Sequence, residues 1–99
     1  MKLAAIAMEP HEREQVLAIL REHLPGRKVW VFGSRATGKR LKRFSDLDLA
    51  IEGTLKLGER GDLEEAFDES LLPFKVDLVE LGAVSADFKR RIEADFVDL

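Results

Sequence analysis

The sequence predicts a small α/β domain in which a mixed central sheet is flanked by helices. Three observations lead there. Three runs, "KVWVF", "SDLDLAIEG" and "FKVDLVEL", carry the β-branched content or period-two alternation of strands. The segments between and around them repeat apolar residues at helical spacing. Ninety-nine residues give one domain with a single modest core. The predicted domain therefore spans residues 1–99, with residues 1–8 expected to be flexible.

Each element has its own justification. From Glu9 to Leu24, Val16, Leu17, Ile19, Leu20 and Leu24 recur at helical spacing, Pro10 suits a first turn, and Pro25-Gly26 stops the run. "KVWVF" reads as a strand that delivers Gly33-Ser34 at its C-terminal end, with a short turn of helix after it. In "SDLDLAIEG", Asp46, Asp48 and Ala50 alternate with Leu47, Leu49 and Ile51, so both aspartates face one way. "GDLEEAFDESLL" offers Leu63, Ala66, Phe67 and Leu71 to a second long helix, and places Asp62, Glu64 and Glu65 at its start, where negative charge suits the helix dipole. Pro73 precedes the third strand, "FKVDLVEL", with Asp77 midway along it. Ser85 is the expected N-cap of "ADFKRRIEADF", whose Phe88, Ile92 and Phe96 fall on one face and read as core packing. Trp30 and Phe32 also read as packing, and His11 and His23, remote in sequence from the aspartates, are not expected to be ligands.

Composition closes off several chemistries. The chain is 45% hydrophobic and 35% charged, the balance of an ordinary soluble globular protein. It has no cysteine, which excludes a disulfide, a thiolate zinc site and a cysteine nucleophile. No apolar run approaches the ~18–20 residues that cross a bilayer, and the N-terminus lacks the apolar segment of a signal peptide. A cytoplasmic protein with no membrane partner is expected. The net charge of -3 argues against stable direct binding of nucleic acid. Yet no acid lies between Glu22 and Asp46, where Arg27, Lys28, Arg35, Lys39, Arg40, Lys42 and Arg43 gather. A local basic block in an acidic chain suits a compact polyanion such as a triphosphate, although a solvated basic loop accounts for the charge equally well.

Three readings of the stretch from Gly33 onward compete. "GSRATGK" matches the first seven positions of a phosphate-binding P-loop, but Arg40 stands where Ser or Thr must bind Mg²⁺. A second reading joins Gly33-Ser34 to Asp46-x-Asp48 as one site for metal and nucleoside triphosphate. Mg²⁺ prefers hard oxygen ligands and is typically held by one or two carboxylates plus substrate phosphates. Asp77, in an otherwise apolar strand where an unpaired charge is costly, is the third carboxylate. Ser34 and the amides after Gly33 hold the phosphates in this reading, with Gly33 allowing close approach. The third reading is structural, with the aspartates on a solvated strand face; strand aspartates are disfavoured, which weakens it but leaves it open. Arg35, directly after the Gly-Ser, is a candidate phosphate ligand, with a surface ion pair as the alternative.

"FGSRATGKRLKRFSDLDLAI" followed by "FKVDLVEL" resembles the minimal nucleotidyltransferases of the polymerase-beta superfamily, the MNT proteins encoded beside HEPN-domain partners. The resemblance spans nearly the whole chain. It implies a minimal polymerase-beta-like fold and transfer of AMP from ATP to an acceptor hydroxyl, dependent on Mg²⁺, with two ions expected. Position by position, it implies Gly33, Ser34 and Arg35 as nucleotide-binding residues and Asp46, Asp48 and Asp77 as catalytic metal ligands, Asp77 also helping to deprotonate the acceptor. It further implies an antitoxin that neutralises a HEPN-type toxin in a hetero-oligomer, by adenylylating a tyrosine, by complex formation alone as a non-catalytic binding module, or by both. The chain contains no tyrosine, so a tyrosine acceptor must lie on another chain. Eleven residues, Arg35 to Ser45, separate the Gly-Ser from the first aspartate, one more than the family usually has, which places a loop insertion in "GKRLKRF".

Overall fold

The computed structural model describes residues 6–99. Its elements run α1 (Pro10–His23), β1 (Val29–Phe32), α2 (Ser34–Thr37), β2 (Leu47–Ile51), α3 (Leu57–Asp68), β3 (Val76–Glu80), α4 (Ala86–Asp95) and β4 (Val97–Asp98). The four strands form one sheet in the order β3-β2-β1-β4. β1 runs antiparallel to β2 and β4, whereas β2 and β3 are parallel and joined through α3. The expected α/β fold with a mixed sheet flanked by helices is the one observed.

The alternation in "LDLAI" sorts side chains onto two faces. Leu47, Leu49 and Ile51 join Val31 and Leu78 against Val16 and Leu20 of α1 and Leu63 and Phe67 of α3, forming the main core. Truncating any of these fully buried leucines to alanine costs about 2–5 kcal/mol. Ala50 points the other way, into a smaller cluster with Leu81 and Ile92, flanked by Trp30, Phe32, Val79 and Phe96. α4 covers only this part of the second face. The uncovered part is where Asp48 lies.

Capping follows the sequence closely. Glu12 Oε1 accepts the Glu9 N–H at 2.9 Å ahead of Pro10, and Ser85 Oγ accepts the Phe88 N–H at 3.1 Å. These contacts satisfy amides that have no partner within a first helical turn.

Four expectations are revised. α3 begins at Leu57, earlier than the apolar spacing suggested, with Glu59 Oε1 accepting the Lys56 N–H at 3.2 Å. Asp62, Glu64 and Glu65 therefore sit in its interior, so the dipole does not explain them; Glu64 instead pairs with Arg60 at 3.1 Å. Leu71 lies beyond the helix and is 90% exposed, because the Ser70 hydroxyl donates to the Phe67 carbonyl and turns the chain first. On the last helix Ile92 is buried but Phe88 is 40% exposed rather than core, and the helix ends at Asp95, so Phe96 leaves the helical face and stacks on Trp30 with centroids 4.8 Å apart. β4 then zips onto β1 through Trp30↔Asp98 and Val31↔Val97. Of the terminal segment expected to be flexible, residues 1–5 lie outside the described residues; Ile6 and Met8 pack against the main core, and the Ala7 N–H donates to the Arg35 carbonyl at 2.9 Å.

Candidate active site

β1 ends at Phe32, and Gly33 follows with φ 76 and ψ -156, a region essentially closed to residues with a Cβ. The chain then folds into the single turn of α2, closed by the Thr37 N–H on the Gly33 carbonyl and by the Gly38 N–H on the Ser34 carbonyl. Ser34 is thereby held, partly buried, at the end of β1. The antiparallel register sets Phe32 opposite Asp48, so the turn closes over the aspartate. A Cβ on Gly33 would lie 2.3 Å from Asp48 Oδ2. Glycine is required here for contact as well as for conformation.

The parallel register sets Asp48 beside Asp77, with both side chains on one face. Asp46 precedes β2 by one residue and is exposed. Asp48 feels both of the other carboxylates. Burial first, then the charges of Asp77 and Asp46, push the Asp48 carboxyl up to about 6. Lys75 Nζ stands 3.8 Å from Asp77 Oδ1, but both side chains are largely solvated and the pair is weak.

Glu80, three residues beyond Asp77 on β3, gives the contrast. Its side chain is 15% exposed, yet its carboxyl is held below the usual range. The Leu55 N–H donates to Oε1 at 2.7 Å and Arg60 donates to Oε2 at 2.6 Å, which outweighs burial. Glu80 is a carboxylate supplied with donors for structural reasons. Asp48 is half-buried beside two like charges and gains no such donors among the described residues, the condition of a site that a cation completes.

Residues 13–99 match the nucleotidyltransferase domain family. The chain belongs to that family. It is 43% identical over 96 residues to a Haemophilus influenzae protein named "Probable protein adenylyltransferase MntA", covering 95% of this chain and 83% of that one. Among solved structures, it resembles a toxin–antitoxin crystallised with AMP-PNP, with a TM-score of 0.69 and 25% identity over 86% of this chain and 69% of that one. A mutant of the MntA–HpeT toxin–antitoxin gives a TM-score of 0.68 and 27% identity, over 88% of this chain and 70% of that one.

In this nucleotidyltransferase Arg35 does not take the place foreseen for it. It is 5% exposed, and its guanidinium is buried on backbone carbonyls. Nε donates to the Ser45 carbonyl at 2.9 Å, Nη2 to the Arg43 carbonyl at 3.4 Å and Nη1 to the Ala7 carbonyl, while the group lies 4.1 Å over the Phe74 ring. Its donors are spent on backbone, so it neither grips phosphate nor forms a surface ion pair. It fastens the end of the loop that leads into Asp46. No spacing rule links position 35 to positions 7, 45 and 74, and this role was missed for that reason.

Among the described residues, no three His, Cys, Asp or Glu side chains form a ready-made metal cage. His11 and His23 lie in the first turn and at the last residue of α1. A cleft of about 290 Å³ lined by Leu20, Arg27, Val29 and Leu99 sits at the far end of β1, away from the carboxylates. Among the described residues no helix is long and apolar enough to cross a membrane.

Proposed function

We propose that this nucleotidyltransferase moves AMP from ATP to a hydroxyl group, a tyrosine on a HEPN-type toxin, and so serves as the toxin's antitoxin. The observation that carries the reading is Asp48, seated against Gly33 and raised to about 6 by burial and by Asp77 and Asp46. The likeness to a protein named as an adenylyltransferase and to a toxin–antitoxin holding AMP-PNP supports both the transferred group and the kind of partner.

The donor set fits Mg²⁺. Asp46 and Asp48 would hold one ion, and Asp77 with them a second; such ions stabilise the attacking and leaving oxygens of an in-line displacement. Ser34 and the turn at Gly33 hold the β- and γ-phosphates, and the absent Cβ lets that turn close directly against the Asp48 carboxylate. Asp77 takes the proton of the acceptor hydroxyl. The acceptor oxygen bonds to the α-phosphorus, the bond from that phosphorus to the bridging oxygen breaks, and pyrophosphate leaves with the electron pair. The chain has no tyrosine of its own, so a tyrosine acceptor comes from the partner.

Intact-protein mass spectrometry of the toxin, incubated with this chain, Mg²⁺ and ATP, tests the proposal. Wild type should add one or more AMP units and an Asp46→Asn variant none. No gain with wild type, while the two chains co-elute and the toxin is silenced, would mean that neutralisation works by contact alone.

A further inference from the structure

The acid-free stretch ends in a loop, Lys39–Ser45, that the carboxylate site leaves unexplained. Lys39, Arg40, Lys42 and Arg43 are all exposed, and none enters an ion pair among the described residues. Between and after them stand Leu41, 39% exposed, and Phe44, 60% exposed. Cations and large apolar side chains thus alternate on one surface.

The loop is built rather than slack. Ser45 Oγ accepts the Lys42 N–H at 2.8 Å, and the Ser45 N–H returns to the Lys42 carbonyl at 3.1 Å. Arg35 holds the Arg43 and Ser45 carbonyls from beneath, and the Arg43 guanidinium lies 5.3 Å over the Phe44 ring. A groove of about 640 Å³ runs between this loop and the start of α1, with Leu41, Lys42, Arg43 and Phe44 on one wall and Glu9 and Glu12 on the other. Phe44 is two residues from Asp46, so their Cα atoms are at most ~7 Å apart.

We propose that this loop docks the acceptor: a short acidic segment of a partner polypeptide, with an apolar side chain seated against Leu41 and Phe44, which brings its hydroxyl to the carboxylates. The inference rests on the proposed function and names how its substrate is recognised. Four cations without partners call for an acidic ligand. Two exposed apolar side chains call for another apolar side chain rather than a sugar-phosphate chain. The cations are confined to one short loop, too small a patch for the many successive phosphate contacts from which a nucleic acid draws its affinity. The firm anchorage by Arg35 and Ser45 means that little ordering entropy is lost on docking.

The test uses fluorescence anisotropy of a labelled glutamate–tyrosine copolymer with the full chain, in the absence of Mg²⁺ and ATP, with a single-stranded RNA oligonucleotide as competitor. Wild type should bind the copolymer and keep it against the RNA. A Lys42→Glu, Arg43→Glu double variant should bind it at least tenfold more weakly and Phe44→Ser severalfold more weakly, while AMP-PNP with Mn²⁺ still raises the melting temperature of both. Unchanged copolymer binding in the double variant would overturn the proposal, as would tighter binding of the RNA. Loss of AMP-PNP binding in the loop variants would also overturn it, because the cations would then be gripping the triphosphate. Failure of the proposed function has a different signature: wild type adds no AMP to the toxin, yet copolymer binding and its loss in the loop variants persist.

Discussion

Replacing Asp48 by asparagine should make the metal-free chain more stable, although Asp48 lies half-buried at the heart of the fold. Its carboxyl is displaced from 3.8 to about 6. At about 1.4 kcal/mol per pH unit, ionising it in the folded state costs up to ~3 kcal/mol. Solvent reaches part of the side chain and screens the neighbouring charges, which brings the expected cost down to about 1–2 kcal/mol. The sign follows from linkage: the folded chain holds this proton more tightly than the unfolded chain does, so stability falls as pH rises from about 4 to about 6 and the penalty is complete above that window. Asparagine keeps the shape and removes the charge. Urea unfolding in EDTA at pH 8 should show Asp48→Asn more stable than wild type by about 1–2 kcal/mol, with the gain absent at pH 4. Adding Mg²⁺ at pH 8 should narrow the difference by raising wild type alone. A variant less stable than wild type at pH 8, or an equal gain at both pH values, would refute the reasoning and return the aspartates to a structural role.

Three further outcomes are expected. Gly33→Ala should cost about 2–4 kcal/mol in denaturant unfolding and abolish transfer, because the backbone conformation strains any Cβ and the methyl would displace the Asp48 carboxylate. Arg35→Lys should lower the melting temperature by several degrees and weaken Mn²⁺ binding, since one ammonium cannot replace a planar group shared among three carbonyls and the Phe74 ring. Ser85→Ala should cost about 1 kcal/mol of stability through the lost N-cap of α4 and leave AMP-PNP binding unchanged.

What could be read from the sequence was what local rules encode. Period-two alternation gave the strand and set Asp48 on the face opposite Leu47, Leu49 and Ile51, although Asp46 stands one residue before it, and the break after "KVWVF" gave the position of Gly33-Ser34, because each signal is complete within a few residues. The nearness of Asp48 to Asp77 needed the parallel pairing of β2 and β3, which no local pattern specifies. The start of α3 was hidden by Gly58 and Gly61, residues that cost helix stability and are carried there by tertiary packing. β4 is two residues long and exists only through its pairing with β1. Arg35 was the instructive failure: its position beside the Gly-Ser suggested phosphate, but its orientation is decided by Ala7, Ser45 and Phe74, which lie far from it in the chain or across a loop.

The antiparallel register of β1 and β2 has an evolutionary consequence. Because Phe32 lies opposite Asp48, the strands alone fix where the turn at Gly33 meets the aspartate. The segment that joins them is a detour, and its length enters the position of neither end. A residue can be gained there, as the eleven between Ser34 and Asp46 suggest, or its charges rewritten, without moving the reacting groups. Recognition and chemistry are thereby separable in one small domain. A lineage can change what this protein acts upon while the means by which it acts stays in place.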